Sequence, residues 1–382
     1  MSRRLLNIAQ ERKTTLNDLR LNAAGTLVTG SAVIKGILSE PAGFNASVTT
    51  TVFQVESLIS SLPLDLLREH GLEFLKTSEV GGPIKLVSLR ISGNPDREQP
   101  VTVQGEVELL GDHAVIGSKR VPLSEVRGLL RFDTDRIGIE RLTGKYGEAQ
   151  AISGRGEISH LTEAPELYLA VKGIVSAPEL AAIVARFAPP PVLPNGPGGL
   201  SGLAGEAGAT VLLAGSLEHL EDLDVEWELD ARAIGFADPR VGFPLSQVYG
   251  KVHSISHGIA FEQMTGLLGK TALTVNGNIR YPQQEKILYD FTAAGRGDAN
   301  ELLIMLGGAV PATTIVDGTT EFKASLSGPA DLLRVTGNLD LTQTGVVSGD
   351  GWGKVKGVTS DAEFALHLIS PNRVRLDRVF FE

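Results

Sequence analysis

The feature that most constrains this chain is a long self-similarity, because a fixed period means that one supersecondary unit is used several times over. The segment PLSEVRGLLRFDTDRIGIERLTGKYG from Pro122 returns as PLSQVYGKVHSISHGIAFEQMTGLLG from Pro244, a period of about 122 residues. Gly128 maps to Gly250 and Gly144 to Gly266. A short helical pattern keeps the spacing at Glu56-Ser-Leu-Ile, Glu179-Leu-Ala-Ala and Glu301-Leu-Leu-Ile, each after an extended stretch. This organisation predicts strands at 1–55 that complete a preceding module, then modules at 56–176, 177–297 and 298–382. A Pro/Gly-dense loop is expected over 188–206. The third module stops partway through its repeat, so the chain is expected to be a piece of something longer.

Within each module the apolar residues alternate with polar ones, the mark of a sheet with one solvated face. Leu223, Val225, Trp227 and Leu229 alternate with Asp222, Asp224, Glu226, Glu228 and Asp230. Val101, Val103, Val107 and Leu109 alternate with Thr102, Gln104, Glu106 and Glu108, with Gly105 in the apolar register. Phe322 and Leu326 oppose Glu321, Lys323 and Ser325, and Val335, Leu339 and Leu341 oppose Thr336, Asn338 and Asp340. Ile259 and Phe261 echo Ile137 and Ile139 one period earlier. Turn signals at Gly111-Asp112, Asp133-Thr-Asp135, Ser256-His-Gly258, Asn278, Gly349-Asp-Gly351 and Ser370-Pro-Asn372 divide the chain into about 18 to 20 strands. Helical cover is predicted only over Glu56–Lys76 and near Pro178 and Asn300.

Composition excludes several function classes. A net charge of -10 argues against nucleic acid, which is held by a Lys/Arg surplus. The absence of Cys removes disulfides, thiolate metal sites and Cys nucleophiles. Aromatics are 5% of a chain that is 42% hydrophobic, so the dry face is aliphatic. No leader pattern opens the chain, and no run of 18 apolar residues occurs. The acidic ladder Asp222 to Asp230 is a solvated strand face, His253 and His257 lie on a strand and turn rather than one helix face, and Asp133 and Asp135 bracket an Asx turn. The glycines at 349–353 and 196–208 lack the strand-to-helix context of a phosphate loop. No catalytic set and no metal site is expected, and no cofactor.

An apolar strand face must be hidden from water. It can pack on a second sheet, coil into a solenoid with a dry core, or form an open trough filled by ligand. Three stretches bear on that choice: LPLDLLREHGLEFLKTSEVGGPIKLVSLRISG at 62–93, the unit from Val121 to Ile158, and LSGPADLLRVTGNLDL at 326–341. In content and order they resemble the AsmA-like family of bacterial envelope proteins, the YhdP and TamB kind, relatives of the eukaryotic bridge-like lipid transfer proteins. The resemblance covers most of the chain through degenerate motifs. It implies a mainly β fold: a long antiparallel repeating sheet curled into an open groove, a β-taco, with one short helix per module. It further implies a non-enzymatic phospholipid carrier in the periplasm, whose parent protein is anchored in the inner membrane by a helix this chain lacks. The lining would then be Val101, Val103, Val107, Leu109, Ile137, Ile139, Leu223, Val225, Trp227, Leu229, Ile259, Phe261, Phe322, Leu326, Val335, Leu339 and Leu341. The alternative is a structural or protein-interaction β-solenoid or sandwich with a closed dry core. A polysaccharide-acting β-helix enzyme would need clustered carboxylates and aromatics.

Overall fold

The computed structural model describes residues 13–23, 25–35, 43–57, 79–93, 101–116, 121–147, 149–187, 201–219, 222–237, 243–282, 286–305, 314–329, 331–349, 351–369 and 374–381. Among them are 22 strands in one antiparallel sheet and two helices, α1 (Ala177–Phe187) and α2 (Ala299–Met305), besides a helical turn at 55–57. The fold is thus mainly β and antiparallel, with a few more strands than the turn signals suggested. Helix α1 begins where Ser176 Oγ accepts from the Glu179 amide, and α2 where Asp298 Oδ1 accepts from the Asn300 and Glu301 amides, a side-chain cap in each case. The helix expected over Glu56–Lys76 lies outside the described residues from position 58 onward.

The chain divides into two compact units. In the first, β1 (Lys13–Ala23), β2 (Thr26–Lys35), β3 (Gly43–Thr50), β5 (Pro83–Gly93), β6 (Val101–Ile116), β7 (Val121–Asp133), β8 (Ile137–Tyr146) and β9 (Ala149–Ser159) pair in that order, and β4 (Phe53–Gln54) joins the start of β5. Strands β10 (Glu166–Ser176) and β11 (Ser201–Ser216) each contribute residues to both units. In the second unit the ladder runs through β12 (Asp224–Ala237), β13 (Pro244–Ile255), β14 (Gly258–Leu268), β15 (Thr271–Arg280), β16 (Leu288–Asp298), β17 (Ile315–Pro329), β18 (Leu333–Asp340), β21 (Asp361–Leu368) and β22 (Val374–Phe381). Strands β19 (Thr344–Val347) and β20 (Gly353–Lys354) form a small ladder of their own on the first half of β17.

Backbone irregularities recur at the spacing of the repeat. The helical segments begin at 55, 177 and 299, each 122 residues after the last. Register shifts in β7 and β13 carry Glu125 and Gln247 in the left-handed region, and shifts in β8 and β14 carry Arg141 and Gln263. These pairs are also 122 apart. Each is a β-bulge, where one extra residue is left out of the pairing and the alternation resumes beyond it. After Phe261, for example, Met264 rather than Gln263 continues the dry register.

Three local expectations are corrected. Gly111-Asp112 is no turn: it lies inside the 16-residue β6 as a bulge, with Asp112 opposite Val126, because pairing to β7 continues past it. Asn278 pairs with Asp290 in mid-strand. The loop assigned to 188–206 overruns, since Ser201 to Glu206 belong to β11, where Gly202 and Gly205 have positive φ and let the strand start within a Gly-rich run.

Candidate functional site

Cross-strand register assembles the apolar positions into continuous rows. In the first unit, Leu89, Gly105, Phe132, Ile137 and Ile158 stand opposite one another from β5 to β9. The adjacent row is Leu86, Val107, Leu130, Ile139 and Gly156. In the second unit one row crosses nine strands: Leu229, Val252, Phe261, Gly277, Phe291, Leu326, Val335, Leu366 and Leu376. At about 4.8 Å per strand that row extends about 38 Å. Beside it run Val275, Ala293, Ala324, Gly337, Phe364 and Val379, and beyond those Leu273, Gly295, Phe322, Leu339, Ala362 and Phe381.

Glycines on this face sit under phenylalanines. Phe44 faces Gly93, Phe132 faces Gly105, Phe291 faces Gly277, Phe322 faces Gly295 and Phe364 faces Gly337. In every pair a Cβ on the glycine would lie within 2.7 Å of the ring. The ring of Phe291 also meets Phe261 across Gly277, with centroids 5.4 Å apart. The rings thus supply the apolar surface that the glycines lack.

The opposite face carries ion pairs between neighbouring strands. Arg131 bridges Glu106 at 2.8 Å and Glu140 at 2.9 Å, and Lys251 pairs with Glu228 at 3.0 Å. The Glu106 hydrogen bond holds the Arg131 guanidinium above its ordinary value, and Glu228 does the same for the Lys251 ammonium. Asp135 N–H donates to Asp133 Oδ1 at 3.0 Å, the Asx turn expected there. Two adjoining cavities of about 510 and 730 Å³ lie mainly on this polar side of the second unit, between Thr274, Thr292, Lys323 and Asn338 among others. Of the expected lining residues only Phe322 borders either one.

Coverage of the dry face is partial. Among the described residues the buried apolar side chains are few; in the second unit they are Val175 and Ala177 at α1, Ala299 and Leu302 at α2, Ala231 and Val248 at the bulges, Ala207 on β11, and Ala362 and Leu366 on β21, the last two within the apolar rows. Helix α2 packs on β16 and β17 beside the buried Thr271 and Thr320. Glu301 on α2 accepts from the Lys270 amide and from Thr271 Oγ1, which pins the helix to the strand ends. In the first unit the turn at 55–57 is tied by Glu56 Oε1, which accepts from the Gly82 amide at 3.0 Å, next to the buried Ile84 and Asp112. Burial holds the Asp112 carboxyl above the usual range, and its Oδ1 has no hydrogen-bond partner.

Away from those ends the expected lining residues are half-buried: Val103, Val107, Leu109, Ile137, Ile139, Leu223, Trp227, Leu229, Ile259, Phe261, Phe322, Leu326, Val335, Leu339 and Leu341. Val101 (44%) and Val225 (51%) are exposed, because each sits at the start of its strand where no neighbour flanks it on both sides. Residues not anticipated include Leu130, Phe132, Val252, Phe291, Phe364 and Leu366, all in the same rows. Period-two counting could have reached Phe291 through Tyr289 and Ala293, but glycines at 277, 295 and 337 interrupt the apolar count. Among the described residues no group of three or more His, Asp or Glu side chains is placed to hold a metal, and no helix is long and apolar enough to cross a membrane.

Comparison with protein-family models, with curated proteins and with solved structures finds no match.

Proposed function

We propose that the chain is a segment of a non-enzymatic lipid carrier, holding phospholipid acyl chains against its apolar strand face between the membranes of a cell envelope. The observation that supports this reading is the row from Leu229 to Leu376, which crosses nine strands without a polar side chain and is half-buried through most of its length, buried at Leu366 and exposed at Leu376. Each CH₂ removed from water contributes about 0.8 kcal/mol, so a sixteen-carbon chain laid along such a row gains on the order of 10 kcal/mol. No covalent step and no cofactor is needed. Head groups remain in solvent beside the rows, and the ion pairs of the polar face keep the other side wet.

Native mass spectrometry of protein purified without harsh detergent tests the proposal. The expected result is a population carrying phospholipid mass, displaced by added fatty acid. A protein that emerges free of lipid and takes none up from vesicles overturns it in favour of a β module with a sealed core.

A further inference from the structure

We infer that the outer edge of β22 is a self-pairing surface: a second copy of this chain lays its own β22 antiparallel against it, about a two-fold axis between Asp377 and Arg378. Strand β22 pairs with β21 along one edge, and no described strand pairs with the other. Residues 375–381 are exposed on both faces. Leu376 (60%), Val379 (41%) and Phe381 (66%) end the apolar rows, while Phe380 (45%) stands on the polar face opposite Glu363. An exposed apolar edge with free backbone N–H and C=O groups is a template for another strand.

The pattern of β22 selects a copy of itself as the added strand. Its one irregularity is a bulge: Arg378 faces Ala365 and Leu376 faces Leu366, which leaves Asp377 out of the pairing. Leu376 and Val379 therefore share the apolar face although three positions apart, and Arg375 and Phe380 share the other. A two-fold between Asp377 and Arg378 sets bulge against bulge. It brings Leu376 opposite the partner's Val379, Arg375 opposite the partner's Phe380 and Asp377 opposite the partner's Arg378, each contact made twice. Apolar meets apolar, a guanidinium meets an aromatic ring, and each carboxylate meets a cation. A slip of one residue either way would instead oppose Asp377 to itself or Arg378 to itself. The Arg378 side chain is 66% exposed and 3.6 Å from an equally exposed Glu363, so it can turn to a new carboxylate with little loss. The two apolar faces lie on the same side of the joined sheet, and the row ending at Leu376 runs on into the partner's row through Val379 and Phe364.

The chain has no Cys, so introduced cysteines report the register without background. Leu376→Cys and Val379→Cys chains, mixed and oxidised, are expected to join at least about fivefold more than either variant joins itself, because only the unlike pair lies within disulfide reach. In sedimentation equilibrium the unsubstituted chain rises with concentration from one chain mass to two and stops there. Arg378→Asp sets carboxylate against carboxylate twice and weakens the dimer by about tenfold or more. Mixing it with Asp377→Arg restores both pairs and the association. A monomer at every concentration overturns the inference, as does cross-linking indifferent to register, undiminished association of Arg378→Asp, or growth past two chains, the mark of head-to-tail pairing with another strand. Asp377 also accepts from Arg375 Nε at 2.9 Å; if circular dichroism shows Asp377→Arg unfolded, the cysteine pair and Arg378→Asp decide the question.

Discussion

Leu326→Asp separates an open apolar face from a closed core in one experiment. Leu326 stands between Phe291 and Val335 in the nine-strand row and is half-buried. A carboxylate there keeps some access to water, so the lost stability is most of a Leu burial, about 2 kcal/mol, rather than the 3–5 kcal/mol of an unpaired charge sealed in a core. An acyl chain laid along the row passes about four CH₂ groups across each 4.8 Å strand step, and at about 0.8 kcal/mol each their contact is worth roughly 3 kcal/mol. Lipid affinity is therefore expected to fall by about a hundredfold or more, while the melting temperature falls by only a few degrees. Thermal unfolding by circular dichroism and native mass spectrometry of the same preparation read the two quantities together. Collapse of the fold, or a lipid load equal to that of the unsubstituted chain, would refute the reasoning.

Other perturbations probe the elements that shape this face. Asp112 is 6% exposed, has an orphan Oδ1 and titrates above the usual carboxylate range through burial. Between the ordinary and the raised value the folded chain holds a proton that the unfolded chain has released, so stability declines as pH rises through that window. Asp112→Asn should accordingly raise the melting temperature at pH 7, with the difference shrinking toward pH 4. A variant less stable than the parent at pH 7 contradicts this. Gly277→Ala should cost about 1–3 kcal/mol by overpacking, since its Cβ would meet Asp290 O at 2.3 Å and the Phe291 ring at 2.5 Å. Gly138→Ala, on the polar face with only Arg131 O at 3.6 Å, should be close to neutral in the same urea titration. Arg131→Met removes two exposed ion pairs and is expected to shift the melting temperature by less than about 2 °C, with no further change when salt is raised to 1 M.

Much of the architecture was legible because strands and repeats write themselves into short stretches of sequence. The alternation around Val103 and Val107, and around Phe322 and Leu326, placed those side chains in rows that the pairing of β5 to β7 and β16 to β18 assembles. The spacing of Glu179 and Glu301 located α1 and α2. Bulges were not legible: nothing local at Arg141 or Gln263 announces an extra residue, because a bulge exists only relative to the partner strand. Nor was the fate of Gly111-Asp112, a good turn pair that pairing with β7 holds inside a strand. The glycines at 277, 295 and 337 read as gaps in an apolar pattern until their phenylalanine partners are seen from the neighbouring strand.

By itself the sequence determined a period-two, repeating, one-sided β chain, since side-chain alternation and turn chemistry are properties of consecutive residues. Tertiary structure alone decided which of those residues meet across strands, and how far they are covered. Register is set by hydrogen bonds between segments distant in sequence, as between Val252 and Phe261 or Leu339 and Ala362. Exposure is set by what packs above a face, and here buried apolar residues occur beside the helices and bulges and again at Ala362 and Leu366 on β21, while Phe291 and Leu326 stay half-buried.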